Sequence, residues 1–394
     1  MNAYFASVEQ AANPFLRGKP IAVGGGVGGK RTVVAACSYE ARARGVKNAM
    51  TSWEARKICP DLIMVAGDMD KYIYTSSEII KIMSEYTPLL EVFSIDEAFL
   101  DVTDTMGKFG GEIAIAKDIK KRIKEKFCLT CSIGIGPNKL MAKLAGELEK
   151  PDGLVTIKPE DIPQKLENIP VSKLCGVGRK LEQYLAKLGI KTFGDLNRCP
   201  REKLVKRFGA VCGEGLYLMG QGKDNSPVLS YPYIEEAKSM GHSYTLPKFT
   251  NDMNEVKGYL LRLSEQVGRR LRKDSYRGNI VHLTLGFGNF NFWGRQKKLE
   301  DYVDDGYEIF KLAEGMLPEC NDPIRFVGVS VSGLIHNLDQ ISLFPEKEAS
   351  KKALRAVDEI NDRFGEFTIE RAAIMKTVLH GKTGFVPRIY KVSR

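Results

Sequence analysis

The fold is decided by residues 94–101, Ser-Ile-Asp-Glu-Ala-Phe-Leu-Asp, where the adjacent carboxylates Asp96 and Glu97 lie between two apolar, strand-like runs. Two acids in a hairpin-like segment cost stability unless a positive charge lies against them. A divalent metal is the usual solution, and Mg²⁺ in particular prefers a few carboxylates together with substrate phosphates. For an Asp-Glu pair considered alone, a surface turn with solvated acids is the simpler interpretation, so the rest of the chain has to decide.

Length and composition indicate a globular protein of several domains. A chain of 394 residues is too long for one ordinary hydrophobic core, which favours two to four domains of roughly 150 residues each.

The net charge of +10 favours a polyanionic partner, either nucleic acid or an anionic membrane. The sequence has no apolar run long enough to cross a bilayer and no signal-peptide pattern, so we expect a cytosolic protein without a membrane association.

The pattern of apolar residues predicts an α+β protein. Within residues 1–160 we expect helices at 71–86, 111–127 and 139–148, and strands at 21–23, 32–37, 62–66, 91–95, 98–102, 130–136 and 154–157. Residues 160–228 are typical of short helices, and residues 238–335 predict a second unit in the order β-α-β-β-α-β. A further helix is expected at 353–364.

Tyr39 and Arg42 are three residues apart, so they share a face if they lie on a helix. A phenol and a guanidinium that project together suit a phosphate group, because Arg can hold two phosphate oxygens at once. An ordinary amphipathic helix start explains the same spacing.

Residues 174–180, Leu-Cys-Gly-Val-Gly-Arg-Lys, lie between two predicted helices and fit a helix-hairpin-helix. Gly176 and Gly178 would let the backbone approach a DNA phosphate, with Arg179 and Lys180 adding charge. A tight turn between helices remains the alternative.

The segment 262–298 contains nine Lys or Arg and two acids. Its cations suit phosphate contacts that give affinity without reading sequence. The aromatic residues beside them could stack on bases, although aromatic side chains more often fill a core. The basic residues that we expect at DNA are Arg269, Arg270, Arg272, Lys273 and Arg295.

Gln340-Ile341-Ser342-Leu343-Phe344 follows the last predicted strand. A Gln, a spacer and a Leu-Phe pair in a polar context suggest a short peptide that docks in a groove. A packed loop is the alternative.

Taken together, these segments resemble a Y-family DNA polymerase of the bacterial polymerase IV and UmuC kind. The resemblance covers roughly residues 1–345, and residues 345–394 resemble the C-terminal extension of UmuC-like members. Its motifs occur in the expected order: Met1-Asn2-Ala3-Tyr4-Phe5-Ala6-Ser7-Val8-Glu9, Tyr39-Glu40-Ala41-Arg42, Ser94-Ile95-Asp96-Glu97-Ala98, Ser132-Ile133-Gly134 and Lys150-Pro151-Asp152-Gly153.

The resemblance implies a multidomain right hand. Palm and fingers would occupy 1–160, with the fingers at about 11–68, and a helical thumb with the helix-hairpin-helix would occupy 161–228. A βαββαβ little finger that binds DNA would follow at 229–335, and 336–394 would hold a clamp-binding peptide and the extension. The activity implied is error-prone, DNA-directed translesion synthesis by a monomer that binds primer-template DNA, deoxynucleoside triphosphates and the sliding clamp.

The resemblance also implies a role for each motif. Asp96 and Glu97 would be catalytic and would bind two Mg²⁺ ions. Phe5 would be the steric gate that excludes a 2′-hydroxyl. Tyr39, Arg42 and Lys150 would hold the incoming triphosphate, and Gln340, Leu343 and Phe344 would bind the clamp.

The sequence departs from the family pattern at its first residue. The family places a metal-bridging Asp, at the end of a first strand, immediately before the position of Met1, and Asn2 cannot replace it because it is neutral and one place further along. We therefore expect a palm sheet short of one strand and a poorly active or inactive chain, and a start codon assigned too late would explain this. The alternative function is a non-catalytic DNA- and clamp-binding protein derived from the same fold. A two-metal nuclease would share the carboxylates but would not explain the steric-gate, triphosphate and clamp motifs together.

Overall fold

The computed structural model describes residues 1–25, 32–162, 164–231, 236–288, 291–319, 322–336, 345–375 and 377. The chain forms two compact units, one within 1–234 and the other within 235–386. Each unit has apolar clusters of its own, so each is described by itself. No helix in the described ranges is long and apolar enough to cross a membrane.

The larger part of the first unit mixes helices with short strands. Its elements are α1 (Tyr4–Ala12), β1 (Ile21–Gly24), β2 (Val34–Cys37), α2 (Tyr39–Ala43), α3 (Ser52–Ile58), β3 (Ile63–Ala66), α4 (Met69–Ser84), β4 (Leu90–Ser94), β5 (Glu97–Leu100), α5 (Glu112–Phe127), β6 (Ile133–Ile135), α6 (Lys139–Leu148) and β7 (Leu154–Thr156). β1 is the central strand of a three-stranded sheet, antiparallel to β2 and parallel to β3. β4 and β5 form an antiparallel hairpin, whereas β6 and β7 form a parallel pair. The strand predictions for this part are confirmed within a few residues, but no pattern predicted α1 or α3.

Helix α1 lies against the long helix α4. Its buried residues Tyr4, Ala6 and Val8 join the same apolar cluster as Tyr72 and Ile79 of α4. The residue before α1, Ala3, has a left-handed backbone with φ of +46° and provides no side-chain cap. The usual sequence signal for a helix start is therefore missing here.

Helix α6 lies directly on the β6–β7 pair. A Cβ atom at Gly134 would collide with the backbone of α6 at Ala142 and Gly146, so this close approach requires glycine. The start of α6 is fixed by Asn138, whose side chain accepts from the backbone N–H of Met141 at 3.0 Å. This packing holds α6 beside the β4–β5 hairpin.

The remainder of the first unit consists of short helices, as predicted. They include α7 (Arg179–Lys187), α8 (Phe193–Arg198), α9 (Arg201–Phe208) and α10 (Ala210–Gly220). Leu185, Phe193, Leu196 and Leu204 are fully buried between them. Apolar packing therefore holds together helices that are too short to be stable alone.

The second unit has the predicted order of elements. They are β8 (Ser239–Thr250), α11 (Met253–Lys273), β9 (Tyr276–Phe287), β10 (Phe292–Val303), α12 (Gly306–Glu314) and β11 (Ile324–His336), followed by α13 (Pro345–Phe364). The four strands form an antiparallel sheet in the order β10-β9-β11-β8. Val281, Leu283 and Leu285 of β9 are buried in one cluster with the apolar residues of α11 and α12. Both helices therefore cover the same face of the sheet.

Helix α13 is longer than the predicted 353–364, and the chain after it folds back onto the second unit. The side chain of Asn361 is buried and bonds both the N–H and the carbonyl of Ile369, at 2.8 and 3.2 Å. Ile374 is fully buried in the main cluster of this unit. The C-terminal segment thus contributes to the core.

Candidate active site

The paired carboxylates lie at the turn of the β4–β5 hairpin. Asp96 occupies the turn, where the Ser94 hydroxyl donates to its Oδ1 at 2.9 Å, and Glu97 is the first residue of β5. The hydroxyl of Ser76 on α4 donates to the carbonyl of Ile95 at 2.5 Å and ties the turn to that helix. Both carboxylates line a cavity of about 450 Å³. The site is therefore built on a rigid hairpin and opens to a space that can receive substrate.

Two lysines of α6 face the carboxylates of the hairpin. The Nζ of Lys143 lies 2.8 Å from the carboxylate of Glu97, and the Nζ of Lys139 lies 2.9 Å from that of Glu91. Both lysines line the same cavity. The sequence motifs did not include them, because their partners are adjacent only after α6 has packed beside the hairpin.

The N-terminal residues complete one side of the site. The amino group of Met1 donates to the carbonyl of Asp96 at 2.7 Å, and the N–H of Asn2 donates to the carbonyl of Thr130 at 3.2 Å. Tyr4 donates its hydroxyl to the carbonyl of Tyr72 at 2.7 Å. Burial, together with the nearby charge of Asp96, raises the pKa of Tyr4. Tyr4 therefore stays protonated as a structural hydrogen-bond donor.

The predicted steric gate Phe5 packs beside these residues. Its ring stacks on that of Tyr72 with centroids 4.5 Å apart and planes 21° apart. Phe5 is half-buried, so part of the residue remains accessible. Its position is thus set by an aromatic neighbour that is itself fully buried.

Of the three predicted triphosphate ligands, Tyr39 and Arg42 lie on α2, and Lys150 follows α6. On α2, the guanidinium of Arg42 lies 5.0 Å from the ring centroid of Tyr39 and its Nε donates to the carbonyl of Cys37 at 3.2 Å. Lys150 lines the cavity of the paired carboxylates, where it is ion-paired with Glu147. The ring of Tyr39 and the guanidinium of Arg42 are therefore within the range of a cation–π contact.

The residues present fit a divalent metal only in part. Nowhere in the described ranges do three or more His, Cys, Asp or Glu side chains cluster as a metal site would require. Asp96 and Glu97 nevertheless supply two carboxylates, and Mg²⁺ is commonly bound by one or two carboxylates together with substrate phosphates. The donor set therefore suits Mg²⁺ with phosphates supplied by a substrate.

The predicted helix-hairpin-helix turn is exposed. Gly176 has φ of +98°, a conformation that favours glycine, and Gly178 is the N-cap of α7. A Cβ atom at Gly178 would meet nothing within 4 Å. Gly176, Gly178, Arg179 and Lys180 are all exposed, so the N–H groups at the start of α7 are open to a ligand.

The arginines of α11 lie in a different environment from the one the sequence predicted. The guanidinium of Arg272 is bonded to both oxygens of Asp358 at 2.6 and 2.9 Å, and that of Arg269 to Asp362 at 2.7 Å. Both acids belong to α13, which was predicted only in part. Lys273 remains exposed and Arg270 is half-buried, while Arg295 is exposed on the edge strand β10. Gln340, Leu343 and Phe344 lie outside the described residues.

Comparisons with known proteins match most of the chain. Profiles of the impB/mucB/samB family match residues 1–147, and those of its C-terminal domain match 237–343. A profile of the thumb domain of DNA polymerase-iota matches 172–224. A DNA polymerase IV of Moorella thermoacetica is 41% identical over 377 residues, 94% of each chain. One of Pelotomaculum thermopropionicum is 42% identical over 376 residues, 94% of this chain and 93% of that one.

The chain belongs to the Y-family DNA polymerases. Among solved structures, the Y-family DNA polymerase chimera Dbh-Dpo4(243-245)-Dbh has a TM-score of 0.76 at 29% identity, covering 85% of this chain and 98% of that one. An insertion ternary complex of Dbh DNA polymerase has a TM-score of 0.58 at the same identity and coverage. The predicted α+β right-hand fold and the prediction of a DNA-directed DNA polymerase of the translesion kind are therefore confirmed.

Proposed function

We propose that this Y-family polymerase adds deoxynucleotides to a primer 3′ end by two-metal phosphoryl transfer at Asp96 and Glu97. The observation that carries the proposal is the hairpin turn that presents both carboxylates to one cavity. Asp96 and Glu97 would hold two Mg²⁺ ions, which would supply Lewis-acid activation of the 3′-hydroxyl and charge stabilisation of the pyrophosphate leaving group. The chain itself would hold these carboxylates in place through Ser94 and Ser76 and keep the reacting groups aligned.

Neutral variants of the two carboxylates test this proposal. Asp96→Asn and Glu97→Gln should each reduce single-turnover primer extension at least about a hundredfold, because several kcal/mol of charge stabilisation would be lost. Asp104→Asn is the matched control, since Asp104 is an exposed turn residue beyond β5 and is not among the residues that line the cavity. Equal extension by all three variants would exclude Asp96 and Glu97 from the reaction.

The same assay decides between this function and the non-catalytic alternative. That alternative is favoured by the incomplete set of metal-ligating carboxylates among the described residues. If the 394-residue protein binds primer-template DNA but does not extend the primer, the non-catalytic function is favoured. Extension that depends on Asp96 would reject it.

The incoming nucleotide would contact residues of α1 and α2 as well as Lys150 at the cavity wall. Phe5, stacked on Tyr72, is the proposed steric gate under the sugar. Arg42, oriented by Tyr39, and Lys150, at the cavity wall, are the proposed triphosphate ligands. Arg suits this task because its guanidinium binds phosphate oxygens in pairs.

Primer-template DNA would contact each unit through an exposed surface. In the first unit, the proposed contact is the turn with Gly176 and Gly178 followed by Arg179 and Lys180. In the second unit, the uncovered face of the sheet carries small polar residues such as Thr284, Ser330 and Ser332, and α11 and α12 occupy the opposite face. This face also carries the exposed cation Lys298, which is in register with Ile280, and it is a better candidate for phosphate contacts than Arg269 and Arg272, which are already paired. Arg295 is in register with Leu283 of the covered face and would contact DNA only from the exposed edge strand β10.

We also propose that Gln340, Leu343 and Phe344 bind the sliding clamp and that the protein acts as a cytosolic monomer. A peptide of this kind places a few apolar anchors in a groove of the partner. Leu343→Ala combined with Phe344→Ala should weaken binding to purified clamp by about 30-fold or more, since such anchors carry most of the affinity. Ile341→Ala is the control, and distributive synthesis without clamp should be unchanged. Unchanged clamp affinity would reject the peptide.

A further inference from the structure

Two ion pairs join α6 to the catalytic hairpin in nearly identical ways. Lys139 and Lys143 are four residues apart, so they project from the same face of α6. Lys139 lies 2.9 Å from Glu91, and Lys143 lies 2.8 Å from Glu97. Each ammonium also lies over an aromatic ring of the hairpin, at 5.7 Å from the centroid of Phe99 for Lys139 and 4.7 Å from that of Phe93 for Lys143.

The two pairs differ in what their carboxylates do. Glu91 also accepts from the N–H of Leu229 at 3.1 Å, so both its charge and its hydrogen bonds are used within the protein. Glu97 is bonded to Lys143 and faces the cavity with Asp96. If a metal binds Glu97, the pair with Lys143 has to be weakened or shared, whereas the pair of Lys139 with Glu91 can persist.

We propose that Lys143 is a positioning residue that couples metal loading to the arrival of the nucleotide. The inference rests on the proposed metal role of Asp96 and Glu97. With Lys143 present, the charges of the three side chains sum to −1, so one Mg²⁺ would leave the site positive. A bound triphosphate supplies further negative charge and removes that penalty. The chain would therefore bind metal weakly alone and firmly once the nucleotide is present.

The same contact has a geometric consequence for Glu97. Without a partner, the Glu97 side chain could adopt several rotamers. The ammonium of Lys143, 2.8 Å away, favours one of them. The packing of α6 on β6 through Gly134 fixes where that ammonium stands. Lys143 thus holds the Glu97 carboxylate in an ion pair that an arriving metal has to replace.

Binding of Mn²⁺, followed by electron paramagnetic resonance, tests this inference without relying on turnover. Lys143→Met should bind Mn²⁺ about tenfold more tightly than the parent protein in the absence of nucleotide, because a repelling charge within a few ångströms has been removed. A saturating, non-hydrolysable deoxynucleoside triphosphate with primer-template DNA should largely abolish the difference. Lys143→Arg should bind Mn²⁺ like the parent, because it retains the charge.

Lys139→Met is the matched control, since it removes the same charge from the same face of α6 beside a carboxylate that is not a proposed ligand. It should leave Mn²⁺ affinity within about twofold of the parent, since its partner Glu91 is not a proposed metal ligand. The inference is overturned if Lys143→Met binds like the parent, or if Lys139→Met shows the same gain. Glu97→Gln separates a failure of this inference from a failure of the proposed function. If Glu97→Gln does not weaken Mn²⁺ binding, Glu97 is not a metal ligand, and both the role of Lys143 and the proposed metal site are rejected.

Discussion

The buried carboxylate of Glu9 depends on two donors from α4. The hydroxyl of Tyr72 donates to its Oε1 at 2.6 Å, and the ammonium of Lys71 donates to its Oε2 at 2.9 Å. Tyr72→Phe should lower the free energy of unfolding by about 1–3 kcal/mol, because one oxygen of a buried acid would lose its partner. Urea unfolding measures the change. Tyr74→Phe on the same helix is the control, since its ring is 66% exposed, and an equal loss there would contradict this account.

The position of Phe5 leads to a prediction about sugar selection. Its ring stacks on that of Tyr72, which is fully buried. Phe5→Ala should therefore reduce the preference for deoxynucleotides over ribonucleotides by about 10–200-fold in kcat/KM, the range that one apolar packing contact can discriminate. Single-nucleotide insertion with both substrates gives this ratio. Phe15→Ala, at a ring that is 81% exposed, should leave it unchanged.

Individual site residues could be predicted from the sequence where one local motif contains the whole signal. Asp96 and Glu97 are neighbours along the chain, and the structure brings both to one cavity. Lys139 and Lys143 could not be predicted, because their partners lie about 46 residues or more away and become adjacent only in the folded protein. These ion pairs could not be predicted because the partners are far apart in the sequence, not because the contacts are weak.

At the scale of elements, α13 is held on α11 by paired charges. Arg272 and Asp358 form a bidentate pair whose side chains are 14% and 20% exposed. Asp358→Ala should lower the free energy of unfolding of this unit by about 3–5 kcal/mol, since it leaves a mostly buried guanidinium without its partner. Lys273→Ala breaks the exposed contact with Asp362 and should cost less than about 1 kcal/mol. Urea unfolding of both variants compares them, and equal effects would mean that α13 is not held by this pair.

The pairing of β9 with β11 contains a pH-sensitive contact. The Nε2 of His282 lies 2.6 Å from the hydroxyl of Ser332, and burial lowers the pKa of this imidazole. The unfolded chain then binds a proton more readily than the folded protein, so stability is lost as the pH falls below the ordinary value of about 6.5. The parent should lose more stability than His282→Gln between pH 7 and pH 5. Parallel stability curves for the two proteins would contradict the assignment.

Elements could be predicted well where the residue pattern has a clear period. The alternation of apolar residues along β9, with Val281, Leu283 and Leu285 buried, marks a strand that has a single covered face. Helix α1 lacked such a signal, because the side chain of Ala3 cannot cap the helix start. Strand β10 gives a weak sequence signal for a different reason: it is an edge strand with exposed charges, which a period of apolar residues does not reveal.

At the scale of the molecule, the excess of basic residues is divided between charges used within the fold and charges left for a partner. Arg272 and Arg269 belong to the first kind. Arg179 and Lys180 belong to the second, because both are exposed beside the open N-terminus of α7. Composition alone cannot separate these two kinds, so the net charge predicted a polyanionic partner but not the surface that contacts it.

The salt dependence of DNA binding tests which surface that is. Each phosphate contact contributes about −0.9 to the slope of log affinity against log salt concentration. Arg179→Ala combined with Lys180→Ala should therefore make the slope less negative by about 1–2, because counterions are no longer released at those phosphates. Lys117→Ala combined with Lys121→Ala removes the same charge from the exposed face of α5 and should leave the slope almost unchanged. If both double variants change the slope equally, the protein attracts DNA through its overall field, and the turn before α7 makes no specific phosphate contact.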